Sequence, residues 1–92
     1  MSAQKYKKRP HVIEAMQWTG DNLDAIRDWA GVGTDGIYGP TERRPNQLTV
    51  TTIQGDPGPV RIGDWILPEP QAGRFYPCQP SVFDQLYEQT ED

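Results

Sequence analysis

The stretch that decides the fold begins at Leu48-Thr-Val-Thr-Thr-Ile53, continues through Gln54-Gly-Asp-Pro-Gly-Pro59 and ends at Val60-Arg-Ile62. Its first and last pieces are rich in β-branched residues, whereas the middle piece combines Gly and Pro. This order is typical of two antiparallel strands joined by a turn. Shorter runs at Trp65–Leu67 and Arg74–Tyr76 predict two more strands, with turns between them. We therefore expect a small antiparallel β-meander.

A strand and a helix precede this hairpin. Alternating residues predict a strand over His11–Trp18, which we expect inside the sheet because both of its faces carry apolar side chains. Apolar residues at helical spacing then predict a helix over 22–30, with Asp21 as its cap and Gly31 as its stop. The first helix therefore follows the first strand directly.

A second, short helix is expected near the end of the sequence. Ser81 is its predicted cap, and Phe83, Leu86 and Tyr87 fall on one stripe that we expect to face inward. A strand, a helix, several hairpin strands and a closing helix form the order of an α+β fold. Parallel strand pairs are not expected, since no crossover long enough for them follows residue 31.

The 92 residues are few enough for one domain spanning 1–92. We expect a flexible basic arm at 1–9 and a flexible acidic tail at 89–92. The segment 31–47 is rich in Gly and Pro and predicts a long loop, with Ile37-Tyr38 as one short strand inside it. Long loops of compact domains are either functional or mobile, and the sequence leaves both alternatives open.

The composition restricts the class of function. A lone cysteine, Cys78, excludes an internal disulfide and favours a reducing compartment. One Cys and one His do not supply the ligands of a structural metal, and we expect no cofactor. The net charge of −4 argues against nucleic-acid binding. No apolar run is long enough to predict a membrane span or a signal sequence.

Catalysis has little support in the sequence. A nucleophilic Cys78 would need His11 or a carboxylate beside it, and a buried structural cysteine is the commoner case. The aromatic residues Trp65, Phe75 and Tyr76 have two competing interpretations. They could form a sheet-face platform that stacks on bases, but core packing is favoured in a chain with so few apolar residues.

Two parts of the sequence carry a resemblance. They are Lys8-Arg-Pro-His-Val-Ile-Glu-Ala-Met-Gln-Trp18, and Gly63-Asp-Trp-Ile-Leu67 followed by Gly73-Arg-Phe-Tyr-Pro-Cys-Gln-Pro-Ser-Val-Phe83. They resemble a widespread group of small phage and prophage proteins. Ile62 stands where that group usually has Pro, and Arg74 where it often has an acid. The resemblance implies a phage-encoded protein in the bacterial cytoplasm and brings no catalytic residues with it.

The leading functional hypothesis is a non-enzymatic binding module that modulates a host bacterial protein. Interfaces favour aromatic residues, and this chain combines many of them with a sparse core. We predict that the contact surface lies near the motif residues Gln17, Trp18, Asp64, Trp65 and Tyr76. A homo-oligomer is also compatible with so small a chain, which would gain stability by burying aromatic rings at a symmetric interface.

Two other hypotheses stay open. The first is a sponge that sequesters a nucleotide or signal molecule at a subunit interface, as an anti-defence protein would. Its phosphate contacts, or contacts with an acidic partner, would come from Arg43, Arg44 or Arg74. The second is a Cys-dependent enzyme built on Cys78, which has the weakest support of the three.

Overall fold

The computed structural model describes residues 14–31 and 34–87. Two helices and six short strands make up this part of the chain. In order they are β1 (Met16–Gln17), α1 (Leu23–Ala30), β2 (Ile37–Tyr38), β3 (Leu48–Thr51), β4 (Pro57–Val60), β5 (Trp65–Pro68), β6 (Phe75–Cys78) and α2 (Pro80–Leu86). The expected α+β order is confirmed, with one helix after the first strand and a short helix after the last.

The strands divide into two antiparallel sheets of three strands, with the orders β1-β5-β6 and β2-β3-β4. The division occurs at the bend after β4. There the N–H of Trp18 donates to the Asp64 carbonyl at 2.9 Å, and the N–H of Gly63 donates to the Trp18 carbonyl at 2.7 Å. These bonds direct β5 onto β1 instead of β4. In the described residues β1 is therefore an edge strand, which corrects the expectation of an interior position.

The hairpin of β3 and β4 has the predicted partners but a different boundary. Pro57 pairs with Thr51 and Pro59 with Thr49, so β4 begins inside the segment that the sequence predicts as a turn. It ends at Val60. Proline lacks a backbone donor and is tolerated at the edge of a sheet, where that donor is not needed. In the described residues β4 is an edge strand, which explains how it accommodates two prolines.

One hydrophobic core joins the two sheets and α1. Its buried members are Trp18, Ile26, Ile37, Leu48, Val50, Val60, Ile66 and Phe75. The β6 strand packs against β3 and β4. At that contact a Cβ placed on Gly58 would lie 3.0 Å from Cδ of Pro77, so the absence of a side chain at Gly58 allows the sheets to approach.

The helix caps differ from the sequence predictions. Asn22 precedes α1, and no side chain caps the helix. The Asp21 carboxylate instead accepts the Thr19 hydroxyl at 2.6 Å, while the Asn22 amide accepts the Thr19 N–H and donates to the Gln17 carbonyl. The α2 helix begins at Pro80, so Ser81 lies inside it and is not its cap.

The segment predicted as a long loop is described from residue 34 to 47. It contains the predicted short strand β2, whose Ile37 is buried in the core. The predictions for residues 1–9, for 89–92 and for residues 11–13 of the strand over His11–Trp18 lie outside the described residues. Within the described chain, neither helix is long and apolar enough to cross a membrane.

Candidate functional site

Four aromatic side chains connect α2 to the sheet β1-β5-β6. The rings of Trp65 and Phe83 are stacked with centroids 4.2 Å apart and an angle of 8° between their planes. Phe83 in turn stacks on Tyr87 at 4.9 Å, and the hydroxyl of Tyr87 lies 3.3 Å from that of Tyr76. All four residues are half-buried. The rings thus form a continuous aromatic row that still reaches solvent.

Two aliphatic side chains of α2 extend this row. Val82 is 41% exposed and Leu86 is 68% exposed. They are one helical turn apart and therefore lie on the same flank of the helix. The expectation that Leu86 faces inward with Phe83 and Tyr87 is wrong. The helix is short, and only Phe83 and Tyr87 among these three apolar side chains are half-buried. We call the six residues Trp65, Tyr76, Val82, Phe83, Leu86 and Tyr87 the α2 surface.

The hydroxyl of Tyr76 has an altered acidity. Burial raises the pKa of Tyr76 above its ordinary value of about 10, and the hydrogen bond with Tyr87 and the nearby negative groups act in the same direction. The phenol therefore stays neutral at physiological pH and can act as a hydrogen-bond donor or acceptor. Its position at the end of the aromatic row gives the α2 surface a polar group.

Gln17 and Asp64 lie at the bend where β1 meets β5. The Gln17 amide donates to the Gly63 carbonyl at 2.9 Å, and the Asp64 carboxylate accepts the Arg61 N–H at 3.0 Å. Both side chains are half-buried. These contacts give each of them a structural role at the bend. A role in partner binding stays a prediction for both residues.

Trp18 occupies the core. It is 1% exposed, and its indole N–H donates to the Asn46 carbonyl at 2.9 Å. A partner cannot reach this side chain in the folded protein. The expectation of Trp18 near a contact surface is therefore corrected: the residue packs between the sheets and fixes the segment before β3. Phe75 is likewise a core residue, which excludes it from a base-stacking platform.

Cys78 is buried at the end of β6. Burial raises the pKa of the Cys78 thiol, and the charge of Asp64 adds to the effect. Its hydrogen-bond partner is the neighbouring Gln79 carbonyl at 3.7 Å. Because thiolate is the reactive form, this environment disfavours a nucleophilic role. His11, the proposed base, lies outside the described residues.

The three arginines proposed for phosphate binding are in different parts of the chain. Arg43 and Arg44 are exposed in the segment before β3. Arg74, the residue before β6, pairs with Asp35 at 3.1 Å and donates to the Gly73 carbonyl at 3.0 Å. The described contacts join neither Arg43 nor Arg44 to Arg74. One subunit therefore does not assemble the three side chains into one site through the contacts described.

A separate pocket of about 280 Å³ lies between α1 and the turn that joins β5 to β6. Glu14, Trp29, Glu69, Arg74 and Phe75 are among its lining residues. The indole N–H of Trp29 donates to the Glu14 carboxylate at 3.2 Å. The sequence gives no sign of this site, because its members come from three separate segments and no motif joins them.

The described residues contain no group of three or more His, Cys, Asp and Glu side chains that could hold a metal ion. Comparison of the chain with family models, with curated proteins and with solved structures finds no significant match. The geometry of the chain itself therefore supplies the arguments for its function.

Proposed function

We propose that this chain is a non-enzymatic binding module and that its partner is a protein. The observation that supports this function is the α2 surface, in which a row of four half-buried aromatic rings adjoins two exposed aliphatic side chains. Trp and Tyr are enriched where proteins bind each other, because a large ring buries much apolar area at a small entropic cost. Trp65 and Tyr76 were also among the residues that the sequence motifs suggested.

The charge around the α2 surface indicates the chemistry of the partner. Within α2 the only charged residue is Asp84, and Glu88, Glu91 and Asp92 follow in the sequence without a basic residue. Asp84 therefore places an acidic group beside an uncharged apolar area, and the sequence after α2 adds only negative charge. A partner with an apolar centre and a basic rim would complement both properties.

We place this partner in a host bacterium, in line with the resemblance of the motifs to small phage and prophage proteins. In this proposal the chain works in the bacterial cytoplasm and alters the activity of the host protein by occupying its surface. No chemical step is required of Cys78, whose raised pKa disfavours nucleophilic attack.

A pull-down with the full chain from a bacterial lysate, followed by calorimetry with the purified partner, tests the proposal. We expect one protein in stoichiometric amount. The double variant Val82→Ser and Leu86→Ser should weaken its binding by about tenfold or more, because it removes apolar area from the interface. Binding should also weaken as the salt concentration rises, since the rim contacts are ionic.

Ile53→Ser is the matched control, because Ile53 is 43% exposed and lies outside the α2 surface. This variant should bind as the wild type does. The proposal is wrong when no stoichiometric protein is recovered or when the double variant binds unchanged. A dimer in sedimentation that the double variant abolishes would assign the α2 surface to a second copy of the chain, which would overturn the host-protein partner.

The nucleotide-sponge alternative has less support from the geometry. Arg74 is engaged by Asp35, and the acidic residues Glu14 and Glu69 line the pocket beside it, so the charge there repels phosphate. Thermal melting of the protein with a panel of nucleotides distinguishes the two functions. A saturable rise in the melting temperature would favour the sponge, and an unchanged temperature would remove it.

A further inference from the structure

We propose that the pocket between α1 and the β5–β6 turn binds a cationic group, either a guanidinium or a primary ammonium. This pocket is distinct from the α2 surface and does not depend on it. Its volume of about 280 Å³ lies just below the range of about 300–1,000 Å³ for small-molecule sites. The ligand is therefore a small cation or one basic side chain of a peptide.

Two aromatic residues, Trp29 and Phe75, line the pocket. Phe75 is buried and Trp29 is half-buried, with ring centroids 5.6 Å apart. The edge of the Trp29 ring is occupied by the hydrogen bond from its N–H to Glu14. A cation is attracted to the face of an aromatic ring, and Trp gives the strongest interaction of this kind.

Two acidic residues, Glu14 and Glu69, also line the pocket and add negative charge to it. Glu14 is exposed, and its carboxylate is held beside Trp29 at 3.2 Å. Glu69 is half-buried, and one of its oxygens accepts the Ile53 N–H at 3.0 Å. Both hydrogen bonds fix the position of a carboxylate without neutralising its charge. The Glu14 carboxylate can therefore pair with a cation beside Trp29, and the charge of Glu69 adds to the attraction.

The one basic residue among the lining residues does not cancel this charge. The Arg74 guanidinium is paired with Asp35, which lies outside the lining. The charged lining residues are Glu14, Glu69 and Arg74. With Asp35, the partner of Arg74, the group has three acidic residues and one basic residue, and its net charge is −2. An anionic ligand would be repelled by this balance, whereas a cation would be attracted.

Titration of the full-length protein by ¹H–¹⁵N NMR tests the proposal. The indole N–H signal of Trp29, assigned with Trp29→Phe, reports on the pocket directly. The probes are Nα-acetyl-arginine amide and Nα-acetyl-lysine amide, whose only charge is on the side chain. We expect a saturable shift of the Trp29 signal with both probes and none with the neutral probe Nα-acetyl-norleucine amide.

The carboxylates are tested by Glu14→Gln combined with Glu69→Gln. An amide oxygen can still accept the bonds from Trp29 and Ile53, so this variant removes charge and keeps the fold. We expect it to weaken binding of the arginine probe by roughly fivefold to twentyfold, as two partly exposed ion pairs are lost. Glu42→Gln, which changes an exposed residue before β3, is the control and should bind normally.

Two further ligands distinguish the source of the cation. Agmatine carries the cationic groups of a free metabolite, whereas the blocked peptide Gly-Arg-Gly presents the same guanidinium on a backbone. Tighter binding of agmatine assigns the pocket to a free small cation, and tighter binding of the peptide assigns it to a basic side chain of a partner. The proposal is overturned by an unchanged Trp29 signal, by equal binding of the norleucine probe, or by a saturable shift with inorganic phosphate alone.

Discussion

At the scale of single residues, Gly36 and Gly73 mark a close approach between two backbone segments. A Cβ on Gly36 would lie 2.2 Å from the Gly73 carbonyl oxygen and 3.0 Å from Cε2 of Phe75. We expect Gly36→Ala to lower the free energy of unfolding by about 1–3 kcal/mol, because the backbone at Gly73 must shift. Urea denaturation followed by tryptophan fluorescence measures this change.

The neighbouring change Asp35→Ala is the control for this prediction. It removes the exposed ion pair with Arg74 and leaves the backbone unaltered. Its cost should stay within about 1 kcal/mol, which is the usual range for exposed pairs. If the two variants lower the free energy of unfolding equally, the close approach of Gly73 is not the reason for glycine at position 36.

Tyr76 gives a prediction of pH dependence. Burial raises its pKa, so the folded protein holds the phenol proton more tightly than the unfolded chain does. The resulting contribution to stability is fully present below about pH 10, the pKa of an unfolded tyrosine, and is lost as the pH rises from there towards the folded pKa. As the pH rises from about 10 to about 11, we expect the free energy of unfolding to fall less in Tyr76→Phe than in the wild type.

Urea denaturation at several pH values provides this comparison. Both proteins carry Cys78→Ala in this comparison, because Cys78 also has a raised pKa and its charge contributes to the raised pKa of Tyr76. Tyr38→Phe, which removes an exposed phenol, controls for the loss of one hydroxyl. Parallel stability curves for the wild type and Tyr76→Phe would show that burial of this phenol does not raise its pKa.

At the scale of elements, stacking on the sheet is the main attachment of α2. The helix has no fully buried residue, and its contact with Trp65 is made by Phe83. We expect Phe83→Ala to destabilise the protein by about 2–4 kcal/mol, since the Phe→Ala cost of a buried ring is reduced by partial exposure. Faster hydrogen exchange of the α2 amides should accompany this loss.

Val82→Ala is the matched change at an exposed position of the same helix. Val82 is exposed, so its truncation should alter the free energy of unfolding by no more than about 0.5 kcal/mol. A large cost for Val82→Ala would mean that the side chain already packs against the protein. The α2 surface would then not be available to a partner.

The elements also show what the sequence can predict. The helix α1 and the strand β3 were predicted within a residue or two, because local spacing and β-branched residues determine them. The start of β4 at Pro57 was not predicted, since Pro and Gly normally indicate a turn. Only the position of β4 at a sheet edge makes a strand there acceptable, and sheet order depends on contacts between distant residues.

For the candidate site residues too, the sequence predicts the local properties and misses what depends on contacts between distant residues. The aromatic character of Trp65 and Tyr76 is visible in the sequence, but their half-burial against α2 depends on how a helix of seven residues settles on the sheet. The burial of Trp18 depends on its bond with Asn46, 28 residues away. The pocket at Trp29 depends on three separate segments. None of these arrangements has a local signature.

At the scale of the whole molecule, the two sheets share one core. Leu48 comes from β2-β3-β4 and Ile66 from β1-β5-β6, and both are buried in the same cluster. Shared burial predicts that neither sheet unfolds without the other. Leu48→Ala and Ile66→Ala should each lower the free energy of unfolding by about 2–4 kcal/mol, with an unchanged dependence on urea concentration.

Native-state hydrogen exchange locates the effect of each change. With one cooperative unit, Leu48→Ala should lower the opening free energy of the best-protected β5 amides as much as that of the β3 amides. Ile66→Ala, which changes β5, should lower the opening free energy of the β3 amides as much as that of the β5 amides. Ile53→Ala, at a 43% exposed position, should leave both sheets within about 0.5 kcal/mol of the wild type. Loss of protection confined to the mutated sheet would show two independent units, because a shared core transmits the loss of a buried side chain to every element packed on it.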